Sequence, residues 1–390
     1  MANSLKILHC LRAPVGGLFR HVADLARMQS ALGHQVGIIA DAATGGSAAD
    51  AVFLDLAPVL ALGVTRVRMP RQIGLADYPA LAATQALAKR LAVDVLHGHG
   101  AKGGAYARLA AQWLKRRGQP IRAFYTPHGG SLHFEPGTMQ GVLFLGLERQ
   151  LARLTDGLVF ESAYAQRVYA GKVGAPGCAV RVIPNGLLPN DFSVHSPNSN
   201  AADVLFVGEL RHLKGVDVLL KALAAVKGLR PPTAVIVGTG PDEEHFKALA
   251  DALGLGARVQ FAGAMPASVA FRLGRCLIVP SRGESFPYIV LEGAAARLPM
   301  LLTRVGGIPE IVGETATNLL PPGDAVALAS ALSSFLSDPE PLLAKAAELQ
   351  TRVADRFTVA RMGRDILAFY TTAERRPEQA VETAKILPTG

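Results

Sequence analysis

From Leu5 onward, short apolar runs alternate with longer stretches in which apolar residues return every three or four positions. LKILHCL, at 5–11, reads as a buried strand, and RAPVGG behind it as a glycine-rich loop. LFRHVADLARMQSAL then places Val22, Leu25 and Leu32 near one helical face. Gly33 suits the left-handed position that ends such a helix, and HQVGIIA is the next strand. VDVLHGH, a helix over GGAYARLAAQWLKRR, and the strand IRAFYTP continue the alternation. Strands and helices in turn make a parallel sheet wrapped by helices.

The pattern breaks at SVHSPNSNAAD, residues 193–203, which is polar, carries a proline and has no period. That is linker composition. The same grammar then restarts: VLFVGEL, the helix VDVLLKALAAV, the strand AVIVG, the helix DEEHFKALADALG, then RVQFAG, CLIVPS and MLLT. The expectation is an α/β chain of two Rossmann-like domains, 1–195 and 203–357, facing each other across a cleft. Ligands of such sheets sit outside the carboxyl ends of the strands. A polar tail at 374–390 is expected to fray.

Composition narrows the class. Half of the 390 residues are hydrophobic and 18% are charged, which excludes general disorder. No apolar run nears the roughly 20 residues of a membrane span, and MANSLKILHCLRAP is too short for a secretory core. The expected location is therefore cytoplasmic. Cys10, Cys178 and Cys276 lack metal-ligand spacing and suit a reducing compartment as small buried hydrophobes. The net charge of +9 attracts anions: nucleic acid, an anionic membrane face or a phosphorylated small molecule, with a plain solvated basic surface as the bland alternative. No aromatic-interleaved basic stretch, zinc-finger spacing or recognition helix supports nucleic acid.

Candidate chemistry is concentrated in PSRGESFPYIVLEGAAARLP, 280–299. CLIVPS is a strand, Pro287 fits the first helical position, and the helix runs through YIVLEGAAARL. Its free N–H groups, those of Tyr288 and Ile289, point toward the cleft and favour an anion. Glu284 and Glu292 then suit neutral hydroxyls, one before the helix and one inside it. A glycosidase pair stands about 5–9.5 Å apart, whereas eight helical residues rise about 12 Å, so the spacing argues against that role. A capping Glu284 and a salt-bridged Glu292 remain the structural alternative. Arg211 and Lys214 lie in a loop before another helix and suit a diphosphate, the arginine bidentately. Gly238-Thr239-Gly240 reads as turn chemistry rather than a dinucleotide fingerprint. His97 and His99 read as loop histidines at the cleft wall, without a third metal ligand in view. No D-x-D pair occurs, so no metal is assigned to a diphosphate.

Taken in order, Gly16-Gly17, HGH at 97–99, TPHG at 126–129, IPNG at 183–186, GELRHLKG at 208–215, VGTGP at 237–241, the Glu284–Glu292 pair and VGGIPEIVG at 305–313 form a set. Over roughly residues 5–370 the set resembles the family 4 retaining glycosyltransferases, which have the GT-B architecture. The resemblance implies that a C-terminal helix near 358–373 completes the first domain. It implies that Lys214, with Arg211, binds the diphosphate of a nucleotide-sugar donor. Glu292 would hold the ribose hydroxyls and Glu284 those of the transferred sugar. Main-chain groups at Ser285, Phe286 and Tyr288, and at Gly16 and Gly17 across the cleft, would complete the cradle. His128 would stand by the reacting sugar, through its carbonyl or its imidazole.

The sequence departs from the family pattern twice. Glu209 stands where the family arginine usually follows the first strand's glycine, with Arg211 two residues on; Pro287, which has no N–H, replaces a frequent glycine. The implied reaction is retaining transfer of a hexosyl group from a nucleoside-diphosphate sugar, with uridine chosen as the common base. A hydroxyl of a glycan or lipid-linked saccharide, in surface polysaccharide synthesis, would receive it. No cofactor is implied. The basic first half and the apolar segment MQGVLFLGL, 139–147, suit peripheral contact with an anionic membrane surface on its inner face. The rival readings are a nucleotide-sugar epimerase of the same architecture and a non-catalytic sugar-nucleotide-binding scaffold.

Overall fold

The computed structural model describes residues 4–226, 231–313 and 319–373. The tail at 374–390 lies outside them. The first seven strands are β1 (Lys6–Leu11), β2 (Gln35–Asp41), β3 (Gly63–Val67), β4 (Val95–His99), β5 (Arg122–Thr126), β6 (Gly157–Phe160) and β7 (Ala179–Val182). Between them run α1 (Gly16–Ala31), α2 (Gly46–Leu56), α3 (Asp77–Leu91), α4 (Gly100–Lys115), α5 (Met139–Ala152) and α6 (Ala163–Lys172). The later strands are β8 (Ala202–Val207), β9 (Ala234–Val237), β10 (Val259–Phe261), β11 (Gly274–Val279) and β12 (Met300–Leu302). Their helices are α7 (Val216–Ala225), α8 (Glu243–Ala252), α9 (Ala267–Ala270), α10 (Tyr288–Ala295), α11 (Ile308–Val312), α12 (Ala325–Ser337), α13 (Glu340–Arg356) and α14 (Val359–Thr372).

Two parallel sheets result, one ordered β3-β2-β1-β4-β5-β6-β7 and the other β10-β9-β8-β11-β12. Strand order reverses between β1 and β4 and again between β8 and β11, and such switch points open crevices at the strands' carboxyl ends. Covered on both faces, the strands read as near-continuous apolar runs. Ile7, Leu8, Cys10 and Leu11 of β1 have no exposed surface.

The last helix belongs to the first sheet. Val359 N donates to Leu187 O at 2.9 Å and Leu187 N to Phe357 O at 2.9 Å, so the chain crosses back beside the 183–187 segment. Gly186 allows this, because a Cβ there would overlap the Thr358 backbone. Thr358 caps α14 by accepting from Arg361 N at 3.2 Å. The apolar face of α14, with Met362, Ile366, Phe369 and Tyr370, packs on Ile7, Leu25 and Phe124. Each such side chain buried contributes about 1.5–3 kcal/mol.

Three local expectations need correction. Gly16 and Gly17 are the first turn of α1, not a loop; Gly16 takes φ +60°, which lets the helix begin right after Pro14-Val15. His97 and His99 belong to β4 and are buried at 0% and 1% exposure, because polar partners inside the fold satisfy their rings. Pro287 is the N-cap of α10 rather than its first residue, at φ −73° and ψ 124°. The 12 Å rise taken between Glu284 and Glu292 therefore does not hold, since residues 284–287 are not helical.

Candidate active site

Four chain segments meet where the strands end. The loop after β8 makes a 3-10 turn, His212–Lys214, whose Gly215 has φ +72° and stands close against the carbonyl of Pro280. Arg282 fastens this turn to the loop after β11: its guanidinium grips Asp217 with two 2.7 Å bonds and its N–H donates to Leu213 O at 2.8 Å. Lys214 is thereby carried onto Glu284, Nζ donating to Oε1 at 2.7 Å and to Oε2 at 2.9 Å. Ser281 Oγ donates to Glu284 Oε1 at 2.7 Å. Behind them, Gly306 at φ +58° packs on the Glu284 carbonyl, and Gly307 N donates to Ser285 O at 2.8 Å. The VGGIP segment thus supports the turn that presents Glu284.

The start of α10 has no side-chain cap, so its first N–H groups are left for another acceptor. The start of α1 is uncapped as well. The two ends touch: a Cβ on Gly17 would lie 3.2 Å from the Tyr288 ring. Phe286 is buried, its carbonyl accepting from Asn185 Nδ2 at 3.1 Å. Ser285 O accepts from Ser162 Oγ at 3.3 Å. Ser285 Oγ and Tyr288 Oη are buried with no partner. Orphaned polar atoms at one seam call for an explanation, and a ligand that reaches them is one.

Arg211, expected beside Lys214 on a diphosphate, is half exposed and reaches only Glu209, at 3.5 Å. It still adds to the field there. His133, across the crevice, is held below its usual pKa first by burial and then by Arg211, Lys172 and Lys214.

Glu292 has a partner that sequence reasoning missed. Arg20, one turn into α1, pairs with it through Nη1 and with Asp191 through Nη2 at 2.5 Å, and its Nε lies 3.4 Å from Asp24. The guanidinium also lies 4.8 Å from the Tyr288 ring centroid. Burial raises the Glu292 carboxyl pKa, with Arg20 opposing it, and raises Asp24 to about 6. Arg20 precedes His21 on α1 and sits in GGLFRHV, just after the Gly16-Gly17 motif. No local pattern marks it, because its partner Glu292 lies 272 residues away.

His128 lies at φ +49° in the loop after β5. Its Nδ1 is 2.7 Å from Glu161 Oε1, and its Nε2 is 3.1 Å from His99 Nδ1. His99 Nε2 continues to His9 Nδ1 at 3.0 Å, and His9 Nε2 to Gln29 Oε1 at 2.8 Å. His97 bonds Tyr370 Oη at 2.6 Å and Thr126 Oγ1 at 2.9 Å. Burial lowers the pKa of His9 to about 4, and those of His21, His97 and His99 well below their ordinary value. These imidazoles are neutral at pH 7.

Comparison with known proteins agrees with this arrangement. Residues 15–189 match the model described as Glycosyltransferase Family 4, and residues 189–352 the model described as Glycosyl transferases group 1. The D-inositol 3-phosphate glycosyltransferase of Corynebacterium urealyticum is 26% identical over 81% of this chain and 80% of its own. The glycogen synthase of Mycobacterium tuberculosis is 26% identical over 93% of this chain and 94% of its own. Among solved structures, Anabaena HepE in complex with UDP-glucose superposes with a TM-score of 0.79 at 21% identity, covering 94% of this chain and 99% of that one. Sucrose-phosphate synthase from Thermosynechococcus elongatus gives 0.78 at 20% identity, covering 95% and 98%. With both halves matched and both sheets in place, the chain belongs to the family 4 glycosyltransferases, hexosyl-transferring enzymes of the GT-B fold.

Proposed function

We propose that the protein transfers a sugar, with retention, from a UDP-sugar to a hydroxyl of a glycan or lipid-linked saccharide in surface polysaccharide synthesis. The observation that carries this reading is the Lys214–Glu284 pair set beside the uncapped start of α10, where α1 also begins. Lys214, the free N–H groups of that turn and Arg211 supply positive charge for a diphosphate. Glu284, with Ser281, accepts from the hydroxyls of the transferred sugar, and Glu292 exchanges Arg20 for the ribose hydroxyls. Uridine is supported by the UDP and UDP-glucose complexes of the fold neighbour HepE.

In the transfer, the acceptor oxygen bonds to the anomeric carbon on the face from which the diphosphate departs. The bond from that carbon to the diphosphate oxygen breaks, its electron pair stays on the diphosphate, and the diphosphate takes the acceptor's proton. Negative charge grows on the leaving group, so Lys214 stabilises the transition state more than the ground state. His128 stands on the acceptor side. Beside Gly16 and Arg20 a cavity of about 380 Å³ passes Val15, Phe19 and Val52 between α1 and α2, and we place the acceptor's entry there. Peripheral contact with an anionic membrane is supported by α5, which exposes Met139, Val142 and Leu143 at 90%, 66% and 55%. No described helix is long and apolar enough to cross a membrane.

Calorimetry with UDP and turnover of UDP-sugars test the reading. Losing one charge-assisted bond costs about 1.5–3 kcal/mol, so Lys214→Met should bind UDP roughly 10- to 150-fold more weakly. Equal affinity in the variant, or no UDP binding at all, would overturn the assignment. A donor whose sugar changes configuration without any acceptor would identify an epimerase instead.

A further inference from the structure

Ala92, His128 and Arg297 are the described non-glycine residues with positive φ, and of these His128, at +49°, stands at the crevice. Gly129 and Gly130 follow at +80° and +35°, so the turn is left-handed throughout. L side chains rarely adopt that conformation, and something has to hold His128 in it. Both ring nitrogens are engaged by buried neighbours: Nδ1 lies 2.7 Å from Glu161 Oε1, and Nε2 lies 3.1 Å from His99 Nδ1. The ring is 7% exposed, whereas the residue as a whole is half-buried. Its carbonyl accepts no backbone hydrogen bond among the described residues. The ring is therefore an anchor, and the main chain of the turn is the part left for a ligand.

Glu161 follows β6, the strand beside β5, and its side chain is 3% exposed. An acid just before a helix ordinarily serves that helix's N-terminus. Here the task is already filled. Ser162 Oγ accepts from Ala165 N at 3.0 Å, and Glu310 of α11 accepts from Ala163 N and Tyr164 N at 2.8 Å each. Glu161 is left with His128 as its side-chain partner, and its Oε2 is buried with none. A buried carboxylate so sparsely bonded is costly to keep and calls for a reason. We infer that Glu161 is a positioning residue for the transfer: by gripping the His128 ring it holds the left-handed turn 128–130 in the reacting geometry. The contact fixes the ring whichever of Nδ1 and Oε1 carries the shared proton. The inference rests on the reading that sets His128 beside the reacting sugar. The segment carrying Glu161 is itself fastened to the donor lobe, because Ser162 Oγ donates to Ser285 O at 3.3 Å and Glu310 belongs to the VGGIPEIVG segment behind Glu284. His128 is thereby kept in register with Glu284 across the crevice.

The test compares the full chain with Glu161→Ala and Glu161→Gln. Calorimetry reads UDP affinity, and UDP release from UDP-glucose reads turnover. A misplacement of about 1 Å costs on the order of 100-fold in rate, so Glu161→Ala should lower kcat by about 10- to 100-fold while KM and UDP affinity stay within about twofold. Glu161→Gln keeps the volume and a weaker acceptor, and its kcat should fall between the two. That variant carries the test should Glu161→Ala fail to fold by circular dichroism. A crystal structure of Glu161→Ala should show His128 relaxed to negative φ. An unchanged kcat, a loss of UDP affinity as large as the loss of kcat, or a turn still at positive φ would overturn the assignment. A wild-type chain that releases no UDP would sink the donor reading instead, and the conformation of the turn would still decide the role of Glu161.

Discussion

Replacing Arg20 with methionine keeps the bulk of the side chain and removes the one cation that Asp24, Asp191 and Glu292 share. Losing one partner of a fully buried ion pair costs about 3–5 kcal/mol. Here the arginine side chain is 24% exposed, Asp191 26%, Glu292 18% and Asp24 4%, so solvent screens part of that, and about 2 kcal/mol is the better figure. The lost contact with the Tyr288 ring adds about 0.5–1 kcal/mol. The sum, about 2–3 kcal/mol, should lower Tm by about 5–10 °C at pH 8.

The pH dependence makes the argument specific. Asp24 and Glu292 both have folded pKa values raised above their unfolded ones. Between the unfolded value, about 4, and the folded value, the native state holds the extra protons, so stability falls as pH rises through that window. Without Arg20 the folded values climb further. At pH 5, below the Asp24 value of about 6, the Asp24 carboxyl of the variant is protonated and loses little by the missing cation. At pH 8 it is charged and its share of the deficit shows. Differential scanning at both pH values measures this. A deficit as large at pH 5 as at pH 8 would refute the idea that Arg20 acts by neutralising these carboxylates.

Two further outcomes are expected. Gly306→Ala places a Cβ against the Glu284 carbonyl at a left-handed φ that alone costs about 1–2 kcal/mol; turnover should fall far more than Tm, because the turn carrying Glu284 has to move, and full activity would remove Gly306 from the site's support. Met139→Ser with Leu143→Ser strips the exposed ridge of α5 and should abolish sedimentation with anionic liposomes at low salt while leaving UDP affinity unchanged; undiminished liposome binding would take α5 out of membrane contact.

The order of strands and helices was legible because parallel strands, buried on both faces, leave short apolar runs that local periodicity detects. Lys214 and Glu284 were legible because each sits at a strand end next to a helix start, a position that sequence grammar locates. Arg20 was not: on α1 it is one arginine among apolar neighbours, and only the closing of two lobes brings it to Glu292, 272 residues away. The same holds for the histidines. A glycine between two polar residues reads as loop, yet His97 and His99 sit in a central strand because His9, Thr126 and Tyr370 meet them from 29 to 273 positions away. Gly16-Gly17 reads as loop from propensity, and the fold overrides it by starting α1 there.

The return of α14 to the first sheet sets an order of events during synthesis. Phe124 and Ile7 are translated early, but the surface that covers them is encoded at 362–370. The lobe that begins first can be sealed only after the entire second lobe has left the ribosome. Until then it carries an open apolar face, and that interval is when a chaperone would have something to hold.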